Sequence, residues 1–335
     1  MSRRALITGA TGQDGSYLIE LLLARDYHVH AQSRRADAGA GTRHDNLTWH
    51  TADIAEPDAL HALVAAVEPD EIYNLASISR PSECWRMPEE TNKVNALIPQ
   101  QICELVRRLR PDCRIFQASS SEIFGDSAAS PQNEQTPCRP QSPYGIAKLQ
   151  AHQTIGRYRA QHGLHASSGI MFNHESPRRP LTYVSQKIAY AAAAVAAGLR
   201  DTPEKDERGQ PLLRDGVVTL GNLDVSRDFG FAGDYVHAMH AMLQSDVADD
   251  YVIGTGRSHS IRAFCEVAFR HVGRDWNEHV TVDQSLVRPM DSRHTVADSA
   301  KIAARLNWRA QTSFADLVAM MVDRQAERLA KAGGP

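Results

Sequence analysis

The stretch ALITGATGQDGSYLIELLLARD, residues 5–26, sets the class of fold. It begins with a short apolar strand, Ala5–Thr8, continues through three glycines in a GxxGxxG pattern, and ends in the amphipathic run Ser16–Asp26. Glycines in a strand-to-helix turn let the backbone approach a pyrophosphate, and the helix N-terminus offers N–H groups and the positive end of its dipole. The stretch therefore predicts a dinucleotide site; a tight turn without a ligand is the alternative.

Two arginines follow the next predicted strand, Tyr27–Ala31, in the sequence Ser33-Arg34-Arg35. An acidic residue here would hydrogen-bond the adenosine ribose of NAD, whereas arginines suit the 2′-phosphate of NADP. Paired arginines also occur at ordinary solvated loop ends. After a dinucleotide turn we expect a phosphate partner, and NADP is the predicted cofactor.

Further along the chain, predicted strands alternate with helices as far as residue 172. Such alternation indicates βαβ units, and so an α/β fold with a Rossmann-type doubly wound parallel sheet. We expect residues 1–172 to form the NADP-binding domain, with segments at about 217–250 returning to it. Residues 173–335 are expected to form mainly a smaller C-terminal α/β lobe that binds the substrate.

Two neighbouring motifs, QASSSEIFG and SPYGIAK, carry acid/base side chains between residues 117 and 148. Tyr144 precedes Lys148 by four residues, which would place both on one face of a helix. A lysine ammonium stabilises a tyrosine phenolate, so a group with an ordinary pKa near ~10 can act as a base closer to neutrality. Ser120 can hydrogen-bond the same substrate oxygen. Glu122 adds an acid/base group that simple alcohol oxidation does not require.

Composition excludes several other classes of protein. A formal charge of −3 over 335 residues gives no basic footprint for nucleic acid. Five cysteines without a CxxC pair indicate reduced intracellular thiols, and no apolar run is long enough to span a bilayer. We expect a cytoplasmic protein. His237 and His240 lie on one predicted helix without an evident third ligand, so we expect no metal site.

These motifs resemble those of the extended short-chain dehydrogenase/reductase family, and within it the GDP-mannose 4,6-dehydratase family. TGATGQDGSYL is similar to the family's cofactor turn, PDEIYNLAS to its fourth strand, and QASSSEIFG and SPYGIAK to its catalytic segments. More specific are the long runs FNHESPRR, residues 172–179, and LGNLDVSRDFGFAGDYV, residues 220–236. The similarity extends in order over nearly the whole chain.

The resemblance implies an NADP-dependent nucleotide-sugar 4,6-dehydratase, a hydro-lyase that converts GDP-mannose to GDP-4-keto-6-deoxymannose. Oxidation at C4 would be followed by elimination of water across C5 and C6 and by return of the hydride to C6. The catalytic residues it implies are Ser120, Glu122, Tyr144 and Lys148. It also implies a homodimer or homotetramer, in which the loop Ala36–Thr42 could reach a neighbour's cofactor.

Position by position, the resemblance also assigns binding residues. The implied cofactor residues are Gly9, Thr11, Gly12, Gln13, Asp14, Gly15, Arg34, Arg35, Asp53, Ile54, Leu75, Ala76, Ser77, Tyr144, Lys148, His174 and Arg179. The implied substrate residues are Ser79, Ser120, Glu122, Asn173, Lys187, Arg227 and Arg288, several of them cations suited to a diphosphate.

Departures from the family pattern concentrate on the sugar and nucleotide side. Ser120 stands where threonine is usual, Arg80 is unexpected in ASISRPSECW, and Gln186 replaces an arginine. The segment Arg200–Asp215 looks longer than the family's loop, and we expect an exposed loop or hairpin there. A GDP-heptose dehydratase, an epimerase, a 4-ketosugar reductase and a catalytically silent NADP-binding sensor therefore remain alternatives.

Overall fold

Seven parallel strands form the main sheet of the computed structural model, which describes residues 2–39, 43–206, 208–286 and 295–332. In chain order the strands of the described residues are β1 (Arg4–Thr8), β2 (His28–Ser33), β3 (Leu47–Thr51), β4 (Glu71–Asn74), β5 (Arg114–Ser120), β6 (Ala166–Met171), β7 (His174–Glu175), β8 (Val218–Leu220), β9 (Ser226–Asp228), β10 (Gly230–Phe231), β11 (Asp250–Ile253), β12 (Ser258–Ser260) and β13 (Val280–Val282). The sheet order β11-β6-β5-β4-β1-β2-β3 confirms the predicted doubly wound α/β class.

Helices connect these strands. They are α1 (Gln13–Leu23), α2 (Pro57–Val67), α3 (Pro81–Arg86), α4 (Pro88–Asn92), α5 (Ile98–Leu109), α6 (Pro143–His162), α7 (Val184–Ala196), α8 (Ala232–Gln244), α9 (Ile261–His271), α10 (Ala300–Leu306) and α11 (Phe314–Ala332). Short turns of other helical types are Lys93–Leu97, a π-helix, and the 3₁₀ turns Ser121–Ile123, Trp276–Glu278 and Gln284–Leu286. The helical segment from Pro88 to Leu109 is therefore interrupted by a π-helical turn. Within the described ranges, no helix is both long and apolar enough to cross a bilayer.

The chain divides into two compact units. Unit 1 comprises Met1–Phe172, Ala232–Gly254 and Ala297–Arg309, and holds the whole main sheet. Apolar side chains of β1, β4 and β5 form a core with α2, α5 and α6, whereas α1 packs with α8. The predicted return at about 217–250 differs from the structure, because β8 pairs with β13 in unit 2 and the return begins only at Ala232. The second return, Ala297–Arg309, was not predicted.

Unit 2 comprises Asn173–Phe231, Thr255–Val296 and Ala310–Pro335. Its core is built from α7, α9 and α11, and three two-stranded sheets surround this core: β7–β10, β8–β13 and the antiparallel pair β9–β12. The segment Arg200–Asp215 forms a hairpin, as predicted, but it is not merely exposed. Leu212 and Leu213 are buried in the unit 2 core.

Candidate active site

The four predicted catalytic residues lie at the carboxyl end of β5 and in the first two turns of α6. Ser120 ends β5 and caps the following 3₁₀ turn, because its Oγ accepts a hydrogen bond from the Glu122 N–H at 3.2 Å. Ser142 caps α6 by accepting from the Gly145 N–H at 3.0 Å. This cap fixes the start of the helix, and hence the positions of Tyr144 and Lys148.

Helix α6 approaches the Glu122 turn very closely at Gly145. A Cβ on Gly145 would lie 2.7 Å from the carbonyl oxygen of Glu122, a distance that real Cβ contacts do not show. Only glycine therefore permits this approach. Tyr144 precedes Gly145 directly, so the tyrosine lies beside the turn that carries the exposed Glu122 side chain.

Lys148 is almost completely buried, with 2% of its surface exposed. Its Nζ donates to the carbonyl oxygen of Ala118 at 2.9 Å and lies 5.6 Å from the centroid of the Tyr144 ring. Burial lowers the pKa of Lys148 from 10.5 to about 8. Because little water screens the buried Lys148 ammonium, its charge acts strongly on the neighbouring Tyr144 phenol.

The shifted pKa of Lys148 predicts a pH dependence of stability. The folded pKa lies below the unfolded one, so the burial cost is fully present below pH 8 and is relieved as pH rises from about 8 to 10.5. Thermal unfolding of wild type and Lys148→Met should show wild type gaining stability relative to the variant across this window, by up to about 3 kcal/mol. A stability difference that stays constant with pH would contradict the shifted pKa.

The glycine turn between β1 and α1 is shaped by close backbone approach. Gly9 has φ +64°, and a Cβ on it would lie 2.8 Å from the backbone of Ala76. A Cβ on Gly15 would lie 2.6 Å from the carbonyl oxygen of Ala10. Helix α1 then begins at Gln13, after a Gly12 cap without a side-chain hydrogen bond. A glycine-rich turn that opens a helix fits the pyrophosphate of a dinucleotide.

We predict that Gly9→Ala destabilises the protein more than a matched substitution, Gly163→Ala. Both glycines have positive φ, +64° and +66°, but a Cβ on Gly163 would meet nothing within 4 Å. Gly163→Ala should therefore show only the strain of the left-handed conformation, about 1 kcal/mol, whereas Gly9→Ala adds a backbone clash and should cost about 3 kcal/mol or more. Thermal midpoints measure both; equal shifts would disprove the close approach.

A buried polar network fixes this turn, and none of the sequence motifs predicts it. Thr8 Oγ1 donates to Asn74 Oδ1 at 2.6 Å and accepts from the N–H groups of Leu75 and Ala76 at 3.2 Å. Asn74 Nδ2 in turn donates to Gln117 Oε1 at 2.7 Å. The network ties the carboxyl ends of β1 and β4 to the middle of β5. Ligands of open parallel sheets bind at the carboxyl ends of the strands. Polar residues within otherwise apolar strands are the sequence feature that could have indicated this network.

Asn95, in the π-helical turn, supports the next stretch of the site. Its Oδ1 accepts from Ser77 Oγ at 3.1 Å and from the Ile78 N–H at 2.9 Å, and its Nδ2 donates to the Ile78 carbonyl at 2.8 Å. This buried amide therefore holds the segment after β4, which contains the predicted cofactor residue Ser77. The exposed Ser79 follows it.

The remaining predicted cofactor residues of unit 1 lie at the ends of β2 and β3. Arg34 and Arg35 are exposed, and Arg35 makes a two-pronged ion pair with Asp37, at 3.0 and 2.8 Å. That hydrogen bonding lowers the pKa of Asp37. Asp53 is exposed and accepts from the Ala55 N–H at 3.0 Å, whereas the Ile54 side chain is buried in the core. Any contact of Ile54 with a cofactor would therefore involve its backbone.

Unit 2 holds the other predicted binding residues. Arg179 stacks over the Tyr183 ring at 3.8 Å and lies 3.2 Å from the buried Glu175 carboxylate. Ser185 Oγ donates to the same carboxylate at 2.6 Å. Glu175 thus positions Arg179, a role that the sequence did not reveal because it depends on tertiary contacts.

Arg227 is positioned by its neighbour Asp228. The fully buried Asp228 carboxylate accepts from the Thr255 N–H and Oγ1 at 2.9 and 2.6 Å and from the Gly256 N–H at 2.9 Å. These bonds anchor β9 to the start of the β12 segment, where Arg227 pairs with His259 in the strand register. The conformation of the predicted diphosphate residue Arg227 is therefore tied to a buried carboxylate.

The other predicted binding residues lie at or near the start of elements of unit 2, apart from Arg288. Asn173 accepts the Gly230 N–H at 2.9 Å through its backbone carbonyl, His174 lies in β7, and Lys187 lies in the first turn of α7. Arg288 lies outside the described residues. Gln186, a departure from the family pattern, is fully buried, donating to the Ser176 carbonyl at 3.0 Å and accepting from Gln325 Nε2 at 2.9 Å.

No group of three or more His, Cys, Asp or Glu side chains that could hold a metal occurs in the parts of the chain that the structure describes. His240 Nε2 instead lies 3.3 Å from the hydroxyl of Tyr27. The predicted catalytic residues of unit 1 lie at the end of β5 or just after it and at the start of α6, and its predicted cofactor residues follow the carboxyl ends of β1, β2, β3 and β4 or lie in α6. This geometry suits proton transfer beside a bound dinucleotide.

Comparison with known families gives one match over most of the chain. A family model described as GDP-mannose 4,6 dehydratase matches residues 6–321. GDP-mannose 4,6 dehydratase 1 of Arabidopsis thaliana is 38% identical over 339 residues, covering 96% of this chain and 90% of that protein. GDP-mannose 4,6-dehydratase of Sinorhizobium fredii (strain HH103) is 38% identical over 348 residues, covering 95% of each chain.

Solved structures share the fold at low identity. RMD from Pseudomonas aeruginosa, complexed with NADPH, superposes with a TM-score of 0.79 at 21% identity, covering 98% of this chain and 100% of that one. A dTDP-glucose 4,6-dehydratase from Bacillus anthracis, in complex with NAD, superposes with a TM-score of 0.81 at 18% identity, covering 98% of each chain.

Proposed function

The chain belongs to the GDP-mannose 4,6-dehydratase family, and we propose that it converts GDP-mannose to GDP-4-keto-6-deoxymannose with NADP as its cofactor. The observation that carries this proposal is the position of Glu122. Glu122 lies on the turn that α6 approaches at Gly145, and so beside Tyr144. Lys148, on the same helix, donates to the Ala118 carbonyl in β5, the strand that leads into this turn. A simple alcohol dehydrogenase needs the tyrosine and lysine but not the carboxylate. Elimination of water needs all three.

In the proposed reaction, Tyr144 Oη takes the proton of the sugar 4-hydroxyl. The Lys148 ammonium stabilises the phenolate, and Ser120 hydrogen-bonds the same sugar oxygen. When bound, a nicotinamide cofactor would supply the hydride chemistry at C4 and C6. The ketone at C4 acidifies the C5 proton, which is what allows a carboxylate to remove it.

Glu122 carries the elimination. Its carboxylate takes the C5 proton and gives a proton to the departing C6 hydroxyl, which leaves as water. After hydride addition at C6, C5 takes up one proton. This proton balances the one that Tyr144 took from the 4-hydroxyl. Atoms therefore balance as the loss of one water, and the cofactor is unchanged over the cycle.

Support for NADP rather than NAD comes from the end of β2. Arg34 and Arg35 are exposed there, and the strand itself ends in Ser33 rather than in an acidic residue. A 2′-phosphate would compete with Asp37 for the Arg35 guanidinium, and a phosphate makes the stronger charge-assisted pair. The glycine turn around Gly9 would hold the pyrophosphate.

The experiment that tests this function is incubation of the purified protein with GDP-mannose and NADP, followed by mass spectrometry of the sugar nucleotide. Loss of one water is the expected result. Absence of product from GDP-mannose would refute the substrate, and absence from related GDP-sugars, including GDP-heptose, would refute the reaction. Stoichiometric consumption of NADPH with a 4-keto sugar would instead identify a reductase.

We also propose a homodimer or homotetramer. Three apolar side chains on the helices around Tyr144 are exposed: Leu97, Leu109 and Ile146, the last with 55% of its surface in solvent. Covering such side chains favours association. Light scattering with and without NADP gives the mass in solution, and a monomer under both conditions would refute the proposal.

A further inference from the structure

The hairpin Arg200–Asp215, which we term the arm, is anchored on unit 2 along helix α7. Its base closes through a hydrogen bond from the Gly216 N–H to the Arg200 carbonyl at 2.7 Å. Leu212 and Leu213 are buried in the unit 2 core. The arm is therefore packed into the structure of unit 2.

The arm runs along α7 toward its first turn. Glu204 accepts a hydrogen bond from the Tyr190 hydroxyl and lies 3.2 Å from Arg328. Tyr190 is three residues, less than one helical turn, after Lys187. Two residues of extended chain beyond Glu204 span about 7 Å, enough to bring Asp206 level with Lys187. The charge of Lys187 is indeed felt at Asp206: although burial opposes it, hydrogen bonds from the Gln210 and Arg208 N–H groups and this charge hold the pKa of Asp206 below its ordinary value.

Asp206 builds the tip of the arm. Its Oδ1 accepts from the Arg208 N–H at 2.8 Å and from the Gln210 N–H at 2.9 Å. Only 10% of its side chain is exposed. A carboxylate so occupied by the backbone fixes the tip, and with it the point from which the Arg208 side chain projects.

The Arg208 guanidinium itself is loosely held. Its contacts are Asp206 Oδ2 at 3.3 Å, Asp283 Oδ2 at 3.5 Å and Ser285 Oγ at 3.5 Å, with 39% of the side chain exposed. Well-formed charge-assisted bonds are about 2.7–2.9 Å long, so these pairs contribute little. A ligand with a higher negative charge can replace them.

Two segments that carry predicted diphosphate residues lie near the two carboxylates that pair with Arg208. Lys187, a predicted diphosphate residue, acts on the same Asp206 carboxylate. Asp283 donates its N–H to the Leu220 carbonyl at 2.9 Å, which places it on the first residue of the run LGNLDVSRDFGFAGDYV. Gly221 of that run has the Leu286 carbonyl 2.9 Å from where a Cβ would lie.

We propose that Arg208 is a further substrate-binding residue, whose guanidinium leaves Asp206 and Asp283 to bind a phosphate oxygen of the nucleoside diphosphate. This inference rests on the proposed function, because Lys187 is a diphosphate residue only in that function. The arm would thereby give this chain an additional cation for substrate affinity. Bond making and breaking in the sugar is not affected.

Titration calorimetry with GDP on the purified full chain tests the proposal. Arg208→Gln should weaken GDP binding about tenfold, the effect of losing one charge-assisted hydrogen bond. Arg200→Gln is the matched control: this arginine lies at the base of the same arm, 3.8 Å from Asp215 and 74% exposed, and its loss should change binding less than about twofold. Arg208→Lys, which keeps the charge but not the planar fork, should give an intermediate affinity and guards against misfolding of the glutamine variant.

Asp283→Asn separates a ligand contact from a merely structural one. Asparagine keeps the size and the acceptor for the Ser285 N–H, at 2.8 Å in the wild type, but removes the charge that competes for Arg208. A ligand role predicts GDP binding unchanged or tightened about twofold. If Arg208 only held the arm on Asp283, both variants would weaken binding alike.

The outcomes are distinguishable. GDP binding by Arg208→Gln equal to wild type would overturn the inference and leave the proposed function standing, as would equal weakening by Arg208→Gln and Asp283→Asn. Failure of the wild-type chain to bind GDP at all would overturn the proposed function together with the inference. Tenfold weakening confined to Arg208→Gln, with Arg208→Lys intermediate, supports it.

Discussion

Tyr144→Phe is expected to lower kcat for GDP-mannose dehydration by about 10³, while binding of GDP-mannose changes little. The substitution removes only the hydroxyl that takes the 4-hydroxyl proton, and general base catalysis of this kind contributes about 10²–10⁴. The Lys148 ammonium, 5.6 Å from the ring centroid, would remain but have no phenolate to stabilise. Steady-state kinetics with product detected by mass spectrometry measures the effect.

Tyr158→Phe is the matched control for this prediction. Tyr158 lies on the same helix, nearly buried, with its hydroxyl 3.3 Å from Glu104. Its substitution should leave kcat within about twofold of wild type, because Glu104 is already paired with Arg107 and Arg108. A Tyr144→Phe variant within tenfold of wild type would show that the proton leaves by another route.

Glu122→Gln should abolish the dehydrated product, with a loss of at least about 10³ in rate, and should change the chemistry as well as the rate. Oxidation at C4 depends on Tyr144, Lys148 and Ser120, so it should still occur. The sugar nucleotide recovered in enzyme-stoichiometric amounts should then be a 4-keto sugar that keeps its 6-hydroxyl. Its C5 hydrogen should not exchange with deuterated solvent.

Asp126→Asn supplies a matched carboxylate control. Asp126 lies four residues after Glu122, in the segment that follows β5. The Asp126 side chain is exposed, and its neutralisation should leave dehydration and C5 exchange unaltered. Normal water loss by Glu122→Gln would contradict the assignment of the elimination to this carboxylate. Loss of both oxidation and elimination would mean that Glu122 shapes the site rather than moving protons.

Local sequence was sufficient for unit 1 up to residue 172. Strand β1, for example, was predicted within one residue because its apolar run ends at the glycine turn. The returning strand β11 has its partner, β6, about 80 residues earlier, and a four-residue apolar run does not indicate a partner so distant. The predicted return at about 217–250 therefore begins too early, since the structure has it start at Ala232, and the second return, which contains the short helix α10, was not predicted.

In the candidate site too, residues in local motifs could be predicted, whereas residues that act through tertiary contacts could not. Ser120, Glu122, Tyr144 and Lys148 lie in two contiguous motifs, so the sequence could indicate them together. The supports of the predicted binding residues Arg179 and Arg227 could not be predicted, because Glu175 and Asp228 gain their roles from partners that only folding brings near. Asn95 was visible as a polar residue within a helix, but its contacts depend on the π-helical turn.

Strand β6 has a consequence for how the chain is made. All six of its residues are buried, and it pairs with β5 on one side and with β11, Asp250–Ile253, on the other. Until the ribosome has delivered residue 253, β6 is an unpaired sheet edge, whose backbone N–H and C=O groups can pair with other chains. A nascent or truncated chain ending near residue 172 should therefore depend on chaperones. Unit 1 cannot be completed until synthesis has passed Arg309.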